Sequence, residues 1–172
     1  ETGARAASTA GPRHRLQLAG AVAAVAVVVM ALVMARSTPD ASDAATASSR
    51  LTVEQAEWVS RGRFLLRRAN EGDGALAARQ LERALQSGAD VRGLRAELAE
   101  ALFLAGELDS AYRVAHVSAR QEPDVAAGWF LAGVTAHLVD WDWPAAERQI
   151  GVAIRLSPHE ARFHSALAFV RA

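Results

Sequence analysis

The fold of this chain is decided by two consecutive segments, RGLRAELAEALFLAGELDSAYRVAHVSARQEPDV at residues 92–125 and AAGWFLAGVTAHLVDWDWPAAERQIGVAIRLSPHE at residues 126–160. In both segments apolar residues recur at the three- and four-residue spacing of a helix, and no strand-like alternation persists. Each segment contains two such runs and closes near a proline, Pro123 or Pro158. The pattern predicts two copies of one helix–turn–helix unit.

The unit resembles the tetratricopeptide (TPR) repeat, which has about 34 residues and places small residues where its two helices touch. The first copy matches the pattern in its first helix, turn and second helix at Leu98, Ala99, Leu102, Gly106 and Ala111. The second copy matches if one residue is inserted near Asp140–Trp141, and its matching residues are Trp129, Gly133, Trp143, Ala146, Ile150, Ala153, Leu156 and Pro158. The resemblance implies a solenoid of helical hairpins.

Two weaker copies flank these segments. Residues 58–91 keep the small and apolar positions Gly72, Ala77, Leu81, Ala84 and Leu85. They have Arg61 and Arg68 at usually apolar positions and lack the closing proline. Residues 161–172 resemble the first helix of a fourth unit, and Thr52 three residues before Gln55 predicts a capping box. We therefore expect an all-α, TPR-like domain of about three to three and a half repeats over residues 51–172.

A single apolar segment precedes this domain. Residues 16–35 contain one polar residue, Gln17, and a helix of that length spans about 30 Å, the thickness of the hydrocarbon core. The segment predicts a transmembrane helix between a tail (1–15) and a polar linker (36–50). A cleavable signal peptide is the alternative, although the apolar run exceeds the usual ~7–15 residues.

Arginines on the two sides of this segment predict its orientation. Arg5, Arg13 and Arg15 precede it, whereas Arg36 and Arg50 follow it. By the positive-inside rule the amino end is cytoplasmic. The helical domain would then be periplasmic, and the protein would be a single-pass protein of a bacterial inner membrane.

Composition excludes several kinds of chemistry. The 172 residues include no cysteine and no lysine, which removes thiolate metal sites, thiol nucleophiles and Schiff-base lysines. His159 and His164 are five residues apart, so they do not form the i, i+4 pair of a helical zinc site. Asp140 and Asp142 are expected to cap a helix that begins near Pro144. We expect no catalytic residues, no metal, no cofactor and no small-molecule substrate, and zero formal charge predicts no nucleic-acid partner.

The TPR resemblance implies a concave face lined by the first helix of each unit. The residues that map to this face, and that we assign to a protein-binding groove, are Leu66, Glu100, Phe103, Phe130, Val134, His137 and Phe169. The face is apolar and suits an apolar segment or helix of a partner. Equally, it could pack against the chain's own helices. Replacing Phe103 and Phe130 by alanine distinguishes the two, since only the second interpretation predicts a loss of helicity.

Four tryptophans complete the pattern. Trp129 and Trp143 occupy packing positions of the repeat and are expected in the core, whereas Trp58 and Trp141 could be exposed.

The segment DWDWPAAE at residues 140–147 resembles the repeat turn in TPR domains of membrane-integrated winged-helix transcriptional regulators. Residues 1–15 cannot form a winged helix, so DNA binding does not follow from this resemblance.

These observations predict a non-enzymatic, single-span accessory or scaffold subunit. Its helical domain would bind and stabilise the membrane and extramembrane subunits of a larger complex, possible hosts being photosynthetic or respiratory assemblies. The alternative function is the extracytoplasmic sensory half of a membrane-bound one-component transcriptional regulator.

Overall fold

A computed structural model describes residues 51–172 of the chain. These residues form seven α-helices and one π-helical turn, without a strand: α1 (Val53–Arg68), α2 (Asp73–Gln86), α3 (Leu94–Leu104), α4 (Leu108–Gln121), α5 (Ala126–Thr135), the π-helical turn (Ala136–Asp140), α6 (Trp143–Leu156) and α7 (Ala161–Arg171). The predicted all-α class is confirmed for this part of the chain. The predicted tail, transmembrane helix and linker lie outside the described residues, and none of the described helices is both long and apolar enough to cross a membrane.

The helices stack in chain order. Each helix packs against the next, and α3 also contacts the first helices of the neighbouring hairpins, α1 and α5. Phe130 of α5 and Phe163 of α7 extend this row, with ring centroids 4.7 Å apart. Such packing is compatible with a helical solenoid, in which each hairpin buries its apolar face against its neighbours.

Local capping sets where two of the helices begin. The Thr52 hydroxyl accepts a hydrogen bond from the Gln55 backbone N–H at 3.2 Å, and the Gln55 side chain accepts one from the Thr52 N–H at 3.0 Å. The predicted capping box is therefore confirmed. At α6, an Asp142 carboxylate oxygen accepts from the Ala145 N–H at 2.9 Å. Of the two predicted capping residues only Asp142 acts as one, because Asp140 lies within the π-helical turn.

Small residues allow the helices to approach closely. A Cβ added to Gly133 of α5 would lie 2.7 Å from Ile150 Cγ1 and 2.9 Å from the Ala146 carbonyl oxygen of α6. A Cβ on Gly128 would lie 2.8 Å from the Ser118 hydroxyl of α4. The core is correspondingly rich in alanine, and its largest fully buried apolar side chains are Phe103, Phe130, Phe163, Leu81, Leu94, Leu131 and Ile150.

The first hairpin has a different register from the predicted repeat. Arg61 and Arg68 are exposed, whereas Gly62 is buried on the face that α1 turns to α2. A Cβ on Gly62 would lie 2.6 Å from Leu81 Cδ2, which identifies Gly62 as the close-approach position of this hairpin. Arg61 and Arg68, which the repeat pattern places at apolar positions, therefore lie on the solvent side of α1.

Candidate functional site

The residues assigned to the groove lie mostly inside the stack. Glu100 and Phe169 are partly buried, and the other five are buried: Leu66, Phe103, Phe130, Val134 and His137. Phe103 and Phe130 are among the largest side chains that are completely covered. These rings pack between the chain's own helices, which is the alternative that the sequence left open.

Ion pairs cover this side of the stack. The Arg162 guanidinium of α7 lies 5.4 Å from the ring centre of Phe130 and 5.2 Å from that of Phe163. It also lies 3.6 Å from a Glu100 carboxylate oxygen of α3 and donates a hydrogen bond of 3.1 Å to Glu160. Arg162 therefore joins α7 to α3 across the buried ring of α5, and a partner would have to displace this arginine to reach Phe130.

A second ion pair joins α1 to α3. Arg63 donates to both carboxylate oxygens of Glu97, with nitrogen–oxygen distances of 3.0 and 2.9 Å. Burial raises the pKa of Glu97, and the hydrogen bonds from Arg63 oppose that rise. Paired charges thus lie beside the buried rings of the predicted groove.

A different surface exposes large aromatic side chains. We name it the aromatic turn and define it by His137, Asp140, Trp141, Asp142 and Trp143. Trp141 is 62% exposed and Trp143 is 44% exposed. The exposure of Trp143 differs from the expected core position, because this residue starts α6 and lies beyond the packed face of that helix. In contrast, Trp129 is partly buried against the core and donates its indole N–H to the Pro123 carbonyl at 2.9 Å.

The backbone of the aromatic turn is irregular. The Trp141 N–H bonds to the Ala136 carbonyl, which closes a π-helical turn and accommodates one extra residue. This is the position at which the repeat register requires an insertion. Trp141 itself has a φ of 56°, a left-handed conformation that costs a non-glycine residue about 1–2 kcal/mol. Trp141 ends the π-helical turn in this conformation, which is common at helix C-termini but is usually adopted there by glycine.

A buried imidazole lies at the centre of the aromatic turn. His137 is only 8% exposed, and its ring centroid lies 4.6 Å from that of Trp143, 5.6 Å from Phe169 and 6.4 Å from Trp141. Its Nδ1 atom is buried without a hydrogen-bond partner. Burial lowers the pKa of His137, which favours the neutral imidazole.

Two carboxylates flank the exposed rings. Asp142 uses one oxygen to cap α6, and Asp140 accepts a hydrogen bond from the Tyr112 hydroxyl of α4, which raises the pKa of that tyrosine. Within residues 51–172 neither carboxylate forms an ion pair with an arginine or histidine. Within this part of the chain the aromatic turn therefore combines two exposed indoles with two carboxylates that no basic side chain pairs. The sequence placed Trp141 and both aspartates correctly at a turn, but it did not predict that the buried His137 underlies them.

His159 and His164 form no shared site. His159 is exposed, and the His164 Nε2 atom lies 2.8 Å from the Pro158 carbonyl oxygen. Among the residues that the structure describes, no three histidine, aspartate or glutamate side chains converge in a way that could hold a metal ion.

Comparison of the chain with protein-family models finds no match, and comparison with curated proteins finds none either. The TPR-like interpretation therefore depends on the residues themselves, and the function has to be argued from the described geometry.

Proposed function

We propose that this protein is a non-enzymatic adaptor, a single-span accessory subunit whose helical domain binds and stabilises the protein subunits of a larger membrane complex. A photosynthetic or respiratory assembly is the proposed host. The observation that supports this proposal best is the aromatic turn, where a stack with a well-packed core leaves Trp141 and Trp143 in solvent. Tryptophan is enriched in protein–protein interfaces and is among the residues that most often dominate their binding energy.

The strain at Trp141 supports the same proposal. Glycine would adopt the left-handed conformation at no steric cost, yet the chain has its bulkiest residue type there. The indole at this helix end lies largely outside the core and is therefore available for a contact with another protein.

The apolar segment 16–35 supports a location at the inner membrane, with the helical domain in the periplasm. Fifteen residues separate this segment from the helical domain, and a chain of that length reaches at most about 50 Å. A domain on such a tether stays close to the bilayer, where the extramembrane parts of membrane subunits are available for binding.

The test is the purification of the tagged full chain from its native membrane in mild detergent, with chemical crosslinking before lysis and mass spectrometry afterwards. We expect one or more protein partners in stoichiometric amounts, crosslinked to residues of the helical domain. A monomeric chain without any stoichiometric partner, under conditions that preserve other membrane complexes from the same sample, would refute the adaptor function.

A further inference from the structure

We propose that the aromatic turn is a binding site for a cationic side chain, arginine or lysine, presented by the partner protein. This inference rests on the proposed function and specifies the chemistry by which the partner is recognised. The site consists of the indoles of Trp141 and Trp143, the carboxylates of Asp140 and Asp142, and the buried imidazole of His137 beneath them.

The aromatic turn is complementary in charge to a cation. A guanidinium or ammonium group binds most favourably to the face of tryptophan among the aromatic residues, and an adjacent carboxylate adds a charge-assisted hydrogen bond. Asp140 and Asp142 each have a second oxygen beyond the one used by Tyr112 or Ala145, and a carboxylate can accept several hydrogen bonds. Both therefore retain the negative charge and the acceptor capacity that a cation requires.

His137 lies beneath both exposed indoles. Both exposed indoles lie around this one imidazole, at centroid distances of 6.4 and 4.6 Å, so the two rings border a single small region. The imidazole is more than nine-tenths buried and its Nδ1 atom has no partner. Because burial lowers the pKa of this imidazole and favours its neutral form, it adds no competing positive charge beneath the indoles.

The basic residues of the domain do not fill this site themselves. Arg120 of α4 is close enough to influence Tyr112 and His116 electrostatically, yet it forms no ion pair with Asp140 or Asp142. Near the predicted groove, in contrast, Arg63 and Arg162 form ion pairs with glutamates of α3. Among the described residues, negative charge beside exposed aromatic rings is thus left for an external cation at the aromatic turn.

The test uses the full chain in mild detergent, labelled with 5-fluorotryptophan and observed by fluorine NMR. The four tryptophans give four resonances, which single tryptophan-to-phenylalanine variants assign. The probe is a short peptide with two arginines, and its matched control carries citrulline, the neutral isostere, at both positions. We expect the arginine peptide to shift the Trp141 and Trp143 resonances and to leave Trp58 and Trp129 unchanged. The citrulline peptide lacks two exposed cation–π contacts, so its affinity should be about tenfold lower.

The matched protein variant replaces Asp140 and Asp142 by asparagine. Asparagine caps a helix as well as aspartate does and still accepts the Tyr112 hydrogen bond, so the variant removes charge with little change in structure. Its affinity for the arginine peptide should fall severalfold, to a value that no longer depends on salt. The control variant, Glu82→Gln with Asp90→Asn, removes the same charge from exposed positions elsewhere and should bind as the original chain does.

Equal binding of the arginine and citrulline peptides, or shifts confined to Trp58 and Trp129, would overturn the proposal. Copurification separates this inference from the adaptor function. If the original chain retains a partner and the Asp140→Asn, Asp142→Asn variant retains it equally well, the cation site is wrong and the adaptor function stands. If the original chain retains none, the adaptor function fails, and the peptide titration alone decides the site.

Discussion

Replacing Gly133 by alanine should destabilise the helical domain. The added Cβ would lie 2.7 Å from Ile150 Cγ1, 2.9 Å from the Ala146 carbonyl oxygen and 3.1 Å from the Ile150 nitrogen. Observed Cβ atoms essentially never approach another heavy atom within 3.0 Å. The Ile150 side chain can rotate, but the two backbone atoms of α6 move only if the whole helix moves away from α5.

Two effects of opposite sign determine how much Gly133→Ala changes the free energy of unfolding. Overpacking a well-packed core costs about 1–3 kcal/mol, and contacts with backbone place this substitution in the upper half of that range. Alanine gains back about 1 kcal/mol over glycine in a helix interior. The free energy of unfolding should therefore fall by about 1–2 kcal/mol. At about 4 °C per kcal/mol for a domain of this size, the melting temperature should fall by about 4–8 °C.

The assay is thermal unfolding of the full chain in mild detergent, followed by far-ultraviolet circular dichroism. Gly151→Ala is the matched control, because a Cβ there would meet only the Arg155 guanidinium at 3.7 Å. The free energy of unfolding of this control should rise by up to about 1 kcal/mol, because alanine has the higher helix propensity. If Gly133→Ala melts at or above the original chain while Gly151→Ala is also more stable, the close contact of α5 with α6 is wrong.

Further predictions test the core, the left-handed residue Trp141 and the two histidines His116 and His137. Phe103→Ala with Phe130→Ala should cost about 3–5 kcal/mol per ring and abolish much of the helicity in circular dichroism, whereas unchanged helicity would restore the groove interpretation. Trp141→Gly should raise the free energy of unfolding in urea by about 1 kcal/mol because it removes left-handed strain, and a decrease would show that ring contacts outweigh that strain. Burial lowers the pKa of His116 and His137 in the folded state, so below pH 6.5 the unfolded state binds more protons than the folded state. The free energy of unfolding is therefore highest above the unfolded pKa near 6.5, and it falls as the pH drops below that value. Urea unfolding at pH 7.5 and 6.0 measures this, and glutamine at both histidines should flatten the dependence; an equally steep dependence in that variant would assign the effect to other groups.

Local features of the fold follow closely from the sequence. The capping box of Thr52 and Gln55, the cap at Asp142 and the turn around Asp140 each depend on residues only a few positions apart. Helical periodicity likewise predicts every helix of the described region, because each turn of helix presents the same face of the chain to its neighbours.

The burial of Phe103, Phe130 and His137 could not be predicted in the same way. A repeat register indicates which face a side chain lies on, but how much solvent reaches that face depends on the distance between successive hairpins. That distance is set by contacts between residues of different hairpins, such as Gly128 of α5 with Ser118 of α4, and the face is covered by Arg162. The same limit applies to Trp143, which has a packing position in the repeat but lies partly in solvent.

The sequence by itself therefore determined that this protein has an all-helical domain, where two of its helices are capped, and that a turn rich in tryptophan and aspartate interrupts the third hairpin. Only the tertiary structure decided which aromatic rings are core and which are surface. The physical reason is the distance along the chain over which each interaction acts. Hydrogen bonds and helix propensity act within a few residues, whereas burial depends on how far apart in space the packed helices lie, and here glycines, alanines and one long arginine determine that spacing.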